Sequence, residues 1–276
     1  MFFSRKLIRR FLTTTGTFAL ALNVSTAIFA EESDTFSPLE QVFQAQVNSY
    51  YSVNGFYNFS ANQGAQKDLS TINESIENLN SLIKSVESGI DEDAEVTAYG
   101  EVTDAWKTYQ DVLKQNIEEV EKTGYPDLRL AGDMAVGNIR LNKSLASLYD
   151  TLLVTNKEKP EKIKELSRKT ATNLALMMTK YSARTTSTVS QVYADGDSDT
   201  EVTIDSLASE FSAQLIELTS LVKDNEKALK LLDSAQTKWD FIKSSYINYN
   251  ENRVNFIVNL YSKKIISDID LAIAAI

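Results

Sequence analysis

Few residues in this chain have the means to hold a ligand or do chemistry. Tyr50, Tyr51, Phe56, Tyr57 and Phe59 crowd around Gly55, and aromatic faces at such spacing can hold a flat ligand between helices. Arg140 and Arg184 each present a planar guanidinium suited to an anion. Tyr51, Tyr57, Arg140 and Arg184 are therefore the candidate ligand-binding residues. Each also has a plainer role: core packing at a bundle end for the tyrosines, surface ion pairing for the arginines. The acidic runs Asp91-Glu92-Asp93 and Asp195-Gly196-Asp197-Ser198-Asp199 read as solvated turns. The second lacks a calcium loop's central Gly and terminal Glu, since Thr200 and Ser206 stand there. Met134, Met177 and Met178 read as apolar filler. With no His and no Cys, there is no zinc finger, disulfide, iron–sulfur ligand set, Ser-His-Asp triad or thiol nucleophile. A proton relay would need paired carboxylates, and no spacing singles out a pair. We expect no catalysis, no metal and no cofactor.

The elements that must position these residues are helices. Leu69, Ile72, Ile76, Leu79, Ile83 and Val86 form one stripe of alternating three and four spacing. Val254, Ile257, Tyr261, Ile265, Ile269, Ala272 and Ile276 form another. This period faces a partner helix, as in a bundle or coiled coil. Only 9 Gly and 3 Pro punctuate 276 residues, and 43% of the chain is apolar, which argues against a β-sandwich and against disorder. Turns are predicted at 62–64, 89–100, 124–127, 156–160 and 195–199. Beyond them Asp233 is a candidate N-cap, with Gln236 three residues on, and 248–252 is a polar run.

The first 30 residues read as an export signal. Arg5, Lys6, Arg9 and Arg10 precede an apolar stretch from Phe11 to Val24, followed by small residues and then Glu31-Glu32. That order predicts cleavage after Ala27 or Ala30 and a periplasmic or secreted bacterial product. Without these four basic residues the chain keeps 24 Lys and Arg against 38 Asp and Glu, a net charge of −14. Nucleic acid is then an unsuitable partner, since phosphate binding needs a clustered basic face. No later apolar run reaches the length of a membrane helix, so stable membrane insertion of the mature chain is not expected.

The body reads as written twice. Val102, Trp106, Tyr109 and Leu113 share their phase with Ala235, Trp239, Ile242 and Tyr246, and these are the only two tryptophans. Leu79 to Lys84 resembles Leu218 to Lys223, and Tyr51-Ser52 with Ser60 matches Tyr181-Ser182 with Ser190. The predicted fold class is all-α: two tandem antiparallel four-helix bundles after a cleaved signal peptide, with residues 1–30 as signal, 39–156 as first bundle and 160–276 as second.

The second half, from Ala171-Thr172-Asn173-Leu174-Ala175-Leu176-Met177-Met178-Thr179-Lys180 through Trp239 to the end, resembles the PilJ-like four-helix sensory domain of type IV pilus chemotaxis transducers, a relative of nitrate-sensor domains. The first half shows the resemblance more faintly. In nitrate sensors the first helix carries an Ala-Gly pair and two anion-binding arginines. Here Thr172 and Met177 stand at the arginine positions and the pair is missing, so the resemblance implies the fold without nitrate binding. It also implies an exported sensory or ligand-binding module that acts through a membrane receptor or envelope protein, with a small-molecule ligand. The alternative is a structural or interaction protein of the envelope with no such ligand. A helical secreted effector would need a long apolar hairpin, which the sequence lacks.

Overall fold

The computed structural model describes residues 37–155, 160–184, 203–248 and 254–276. The export signal, the acidic run 195–199, residues 156–159 and most of the polar run 248–252 lie outside the described residues. Among those described there is no strand, and eight α-helices follow one another: α1 Pro38–Ala61, α2 Gln66–Val86, α3 Asp93–Thr123, α4 Leu128–Thr155, α5 Lys162–Ala183, α6 Ile204–Leu221, α7 Glu226–Ile247 and α8 Asn255–Ala274. None of them is long and apolar enough to cross a membrane.

Local chemistry sets the helix ends. Ser37 caps α1, its Oγ accepting the Glu40 N–H at 3.3 Å, and Pro38 follows at the first helical position, where its missing N–H costs nothing. The α1–α2 turn passes through Gln63 and Gly64, both at positive φ. Gly124, at φ 79°, closes α3 in the left-handed conformation that glycine adopts without strain. Asp127 then accepts the N–H groups of Arg129 and Leu130 at the start of α4. Two predicted boundaries move. The turn expected over 89–100 ends at Glu92, because Glu92 and Glu95 form a capping box that starts α3, leaving Gly100 inside the helix. Asp233 is no cap either; it lies inside α7, whose cap is Asn225, with Oδ1 accepting the Ala228 N–H at 3.1 Å. The polar run Lys223-Asp224-Asn225 was the better breaker signal.

The helices group by their contacts. In the first half α1 packs on α2, α3 and α4, and α3 on α4; in the second α5 packs on α6 and α8, and α7 on α6 and α8. Short turns between α1 and α2, α3 and α4, and α6 and α7 fold these neighbours back antiparallel. Each half has its own apolar cluster. One holds Ile72, Leu79, Trp106, Leu113, Leu141 and Leu148; the other holds Leu174, Phe211, Leu215, Trp239, Ile242 and Ile265. The tryptophans take corresponding places. Trp106 on α3 donates its indole N–H to Asn80 Oδ1 on α2 at 2.8 Å, and Trp239 on α7 donates to Ser212 Oγ on α6 at 3.0 Å. The halves are not joined by the 156–160 connector alone, because α1 also packs along α5. Phe43, Val47 and Tyr50 of α1 belong to the second cluster, while Val42, Val53, Phe56 and Phe59 belong to the first.

Candidate functional site

A helix that serves two cores has little surface left for water, and α1 carries polar side chains into this enclosed position. Gln41, Gln44, Ser49, Ser52 and Asn54 are all buried. A buried polar group must find a partner or forfeit its hydration, and here the partners come from the surrounding helices. Ser52 Oγ meets Tyr109 OH of α3 at 2.8 Å. Asn138 and Asn142 of α4 both donate to Ser49 Oγ at 2.9 Å. Thr179 of α5 donates to the Tyr50 carbonyl at 3.3 Å.

The densest of these contacts lies where α1, α5 and α8 meet. Asn54 Nδ2 donates to Asn259 Oδ1 at 3.1 Å, Asn259 Nδ2 to Asn58 Oδ1 at 3.0 Å, and Asn58 Nδ2 to Asn54 Oδ1 at 3.3 Å. The three amides form a closed ring, each both donor and acceptor. Asn54 Nδ2 also donates to Ser182 Oγ on α5 at 2.7 Å. The ring therefore ties the first half to two helices of the second.

Charged groups continue this seam along α1. Near its start, Glu40 Oε2 accepts from Arg168 Nη2 and Nε of α5 at 2.9 and 3.1 Å. Arg168 Nη1 reaches Glu165 Oε1 at 3.0 Å and Tyr149 OH of α4 at 2.8 Å, and Tyr149 in turn donates to Glu165. Asp270 of α8 sits half-buried on the same edge. Loss of solvent pushes its carboxyl up to about 7, the Glu40 charge adds to this, and a hydrogen bond from Gln44 opposes it. Further along, Lys263 Nζ lies 4.7 Å from the centre of the Tyr51 ring. Burial lowers the Lys263 pKa against the pull of Glu74, and burial together with the Asp270 charge raises that of the Tyr51 phenol.

The four residues singled out from sequence are not brought together. Tyr51 lies on the seam against α8, packed at the edge of the second core, whereas Tyr57 is buried in the first. The aromatic cluster around Gly55 is thus divided between two cores and does not frame one flat slot. The reason is helical phase: neighbouring aromatics on a helix buried on several sides point to different partners. Arg140 lies exposed on α4, and Arg184 follows the end of α5. Met134, Met177 and Met178 are fully buried. An open depression at the α6–α7 turn, lined by Asp224, Asn225, Glu226, Lys227 and Lys230, includes none of the four. Among the described residues no group of three or more acids is placed to hold a metal ion.

Comparison with protein-family models, curated proteins and solved structures finds no match. What the seam can do follows from its own chemistry. It offers amide and hydroxyl hydrogen bonds, one tightly held arginine and one carboxyl that exchanges its proton near neutrality. Sequence reasoning missed Asn54, Asn58, Ser182, Asn259 and Asp270. The signal was available in Asn54 and Asn58, four apart on one face of a helix that also carries Phe56, Tyr57 and Phe59, and in Asn259 interrupting the run from Phe256 to Leu260.

Proposed function

We propose that this chain is an exported helical sensory module that acts through a membrane or envelope partner, and that its two halves shift against each other along the seam between α1, α5 and α8. The observation that carries this reading is the ring of Asn54, Asn58 and Asn259. Two apolar cores resist internal rearrangement because their packing is dense. A polar seam differs, since its hydrogen bonds contribute only about 1 kcal/mol net each and can be exchanged for bonds to water, to a ligand or to the next register. Hydrogen bonds are directional, so such a seam has a few discrete arrangements, as a two-state element requires. The resemblance to PilJ-like sensory domains supports the same reading.

The test is a thermal-shift screen of the full chain against small anions, amino acids and purines, followed by hydrogen exchange with any compound that stabilises it. A ligand at 100 times its Kd contributes about 2.7 kcal/mol. Its protection should fall on α1, α5 and α8, and an Asn259→Leu variant should lose the shift. If no compound raises the midpoint, or if protection falls elsewhere, the sensory reading fails. A second reading, an interaction protein without a small-molecule ligand, is favoured by the exposed apolar residues of α7 and α8, among them Phe241 and Phe256.

A further inference from the structure

The inner face of α8 carries Val258, Ser262, Ile265, Ile269 and Ala272, all buried. Its outer face repeats the three-four pattern. Phe256, Leu260, Lys264 and Leu271 are exposed, with half-buried Ser267 completing the spacing. These positions return to one side of the helix over about 22 Å, at 1.5 Å per residue. Phe241 of α7, 62% exposed, widens the row, its ring 5.1 Å from that of Tyr261. Phe256 and Leu260 at one end and Leu271 at the other give this face its apolar contacts, with the polar Lys264 and Ser267 between them; an amphipathic surface of helical period can receive another helix, and among the described residues none covers it.

The charges beside the row say what would cover it. Lys67 of α2 lies 5.9 Å from the Phe256 ring centre, and Lys264 lies 6.0 Å from that of Tyr261. Lys263 adjoins on the α1 side, with Glu74 as its acidic neighbour. On the α7 side Asp268 is already neutralised by Lys238 at 2.5 Å. The row is therefore bordered by lysines in a chain whose net charge is −10. A second copy fits poorly, because a two-fold antiparallel pairing centred on the row brings the exposed Lys264 of each copy close to that of the other, and facing like charges destabilise. An anionic lipid surface would face much of a chain whose net charge is −10 and be repelled by it, whereas a single helix meets only the strip beside Lys67 and Lys264. We propose that the α8 face is a docking seam for an acidic amphipathic helix of a partner protein, with Phe256, Leu260 and Leu271 as its apolar contacts and Lys67 and Lys264 as its charge selectors. This rests on the reading that the chain acts through a protein partner, and it does not depend on a small-molecule ligand at the Asn54–Asn259 ring.

The experiment is a selection on the full chain from a displayed library of helices of about 20 residues, with Leu at three-four spacing and Glu, Gln or Lys at the flanks. Glu-flanked helices should be enriched about tenfold or more over Lys-flanked ones, a difference of about 1.4 kcal/mol. Enrichment should vanish in Phe256→Ser/Leu260→Ser, two exposed substitutions that leave both cores intact, with folding checked by circular dichroism. It should reverse in Lys67→Glu/Lys264→Glu. No enrichment, a preference unmoved by either double variant, tighter binding to phosphatidylglycerol vesicles, or self-association that Phe256→Ser/Leu260→Ser abolishes would each overturn the proposal. The small-ligand screen reads the seam between the halves and this selection reads the outer face of α8, so either can fail alone.

Discussion

Asp270 holds its proton close to neutral pH because it has lost solvent and faces the Glu40 carboxylate, with only Gln44 to favour its charged form. Its folded value of about 7 lies above the ordinary 3.8, so the folded chain binds this proton more tightly than the unfolded chain. Its contribution to stability is then fully present at acid pH, declines as pH rises from about 4 to about 7, and is level above that. Asp270→Asn should melt higher than the native chain at pH 8, by a smaller margin near pH 4.5, and equal to it only below about pH 3, as followed by circular dichroism; a lower midpoint at pH 8 would count against this account of the site. The tryptophans make a second comparison at this scale. Trp239 is fully buried, edge-on to Phe211 at 4.6 Å and beside Tyr246 at 5.8 Å, while Trp106 retains 7% exposure and has Tyr109 as its aromatic neighbour. Either Trp→Ala substitution should cost about 3–5 kcal/mol in denaturant unfolding, with Trp239 the more costly because it leaves the larger void.

At the scale of the element, the helix ends and glycines separate into those under constraint and those that are not. Gly100 lies inside α3, and a Cβ there would meet nothing within 4 Å. Gly100→Ala should therefore stabilise by about 0.5–1 kcal/mol, through helix propensity and reduced freedom of the unfolded chain. Gly89 is the opposite case. It follows α2 in a short 3-10 turn beneath the start of α1, and a Cβ would fall 2.3 Å from Pro38 Cγ. Gly89→Ala must displace the Pro38 ring and should destabilise, and one thermal-unfolding series compares the two substitutions directly. The capping box that starts α3 adds a further constraint. Burial opposes ionisation of Glu95, but hydrogen bonds from Thr155 and the Asp91 and Glu92 N–H groups outweigh it and hold the carboxyl below its ordinary value. The stability this contributes is present above the ordinary carboxylate pKa and is lost as pH falls through the lowered one. Glu95→Gln should cost about 1 kcal/mol at pH 7, the usual worth of a helix cap, and lose that difference in acid.

For the whole molecule, α1 is the element that decides cooperativity. Its Phe43, Val47 and Tyr50 complete the second core although they belong to the first half of the chain. A fragment spanning 160–276 lacks these side chains and leaves the buried face of α5 exposed, so by itself it should bind a hydrophobic dye and unfold with low cooperativity. Mixed with 37–155 it should lose the dye signal and co-elute as one species. Independent, fully cooperative folding of 160–276 would show that α1 is dispensable to it.

How much of this was legible beforehand depends on whether the property is local. Helix periodicity, the turn at 124–127 and the shared phase of Trp106 and Trp239 could be read directly, because each depends on residues within a turn or two of one another. The face of a helix that meets a neighbour repeats along the chain, so the eight helices among the described residues and their two groups of tryptophan-centred packing follow from spacing. Where two boundaries were misplaced, at 89–100 and Asp233, the competing signals were also local: Glu92 with Glu95 and the Asn225 cap outweighed a lone Gly and a lone Asp. The seam could not be read in this way. Asn54 and Asn259 are 205 residues apart, and whether an asparagine within an apolar stripe is solvated, orphaned or paired depends on which helix lies opposite. The same holds for Tyr51 and Tyr57, six residues apart yet assigned to different surroundings, and for Asp270, whose proton affinity is raised first by burial and then by the charge of Glu40 from the other end of the chain. The sequence alone determined the elements and their apolar faces; only the packing of α1 against α5 and α8 decided which polar groups are buried together, because burial and charge proximity are properties of the assembled helices and not of any one of them.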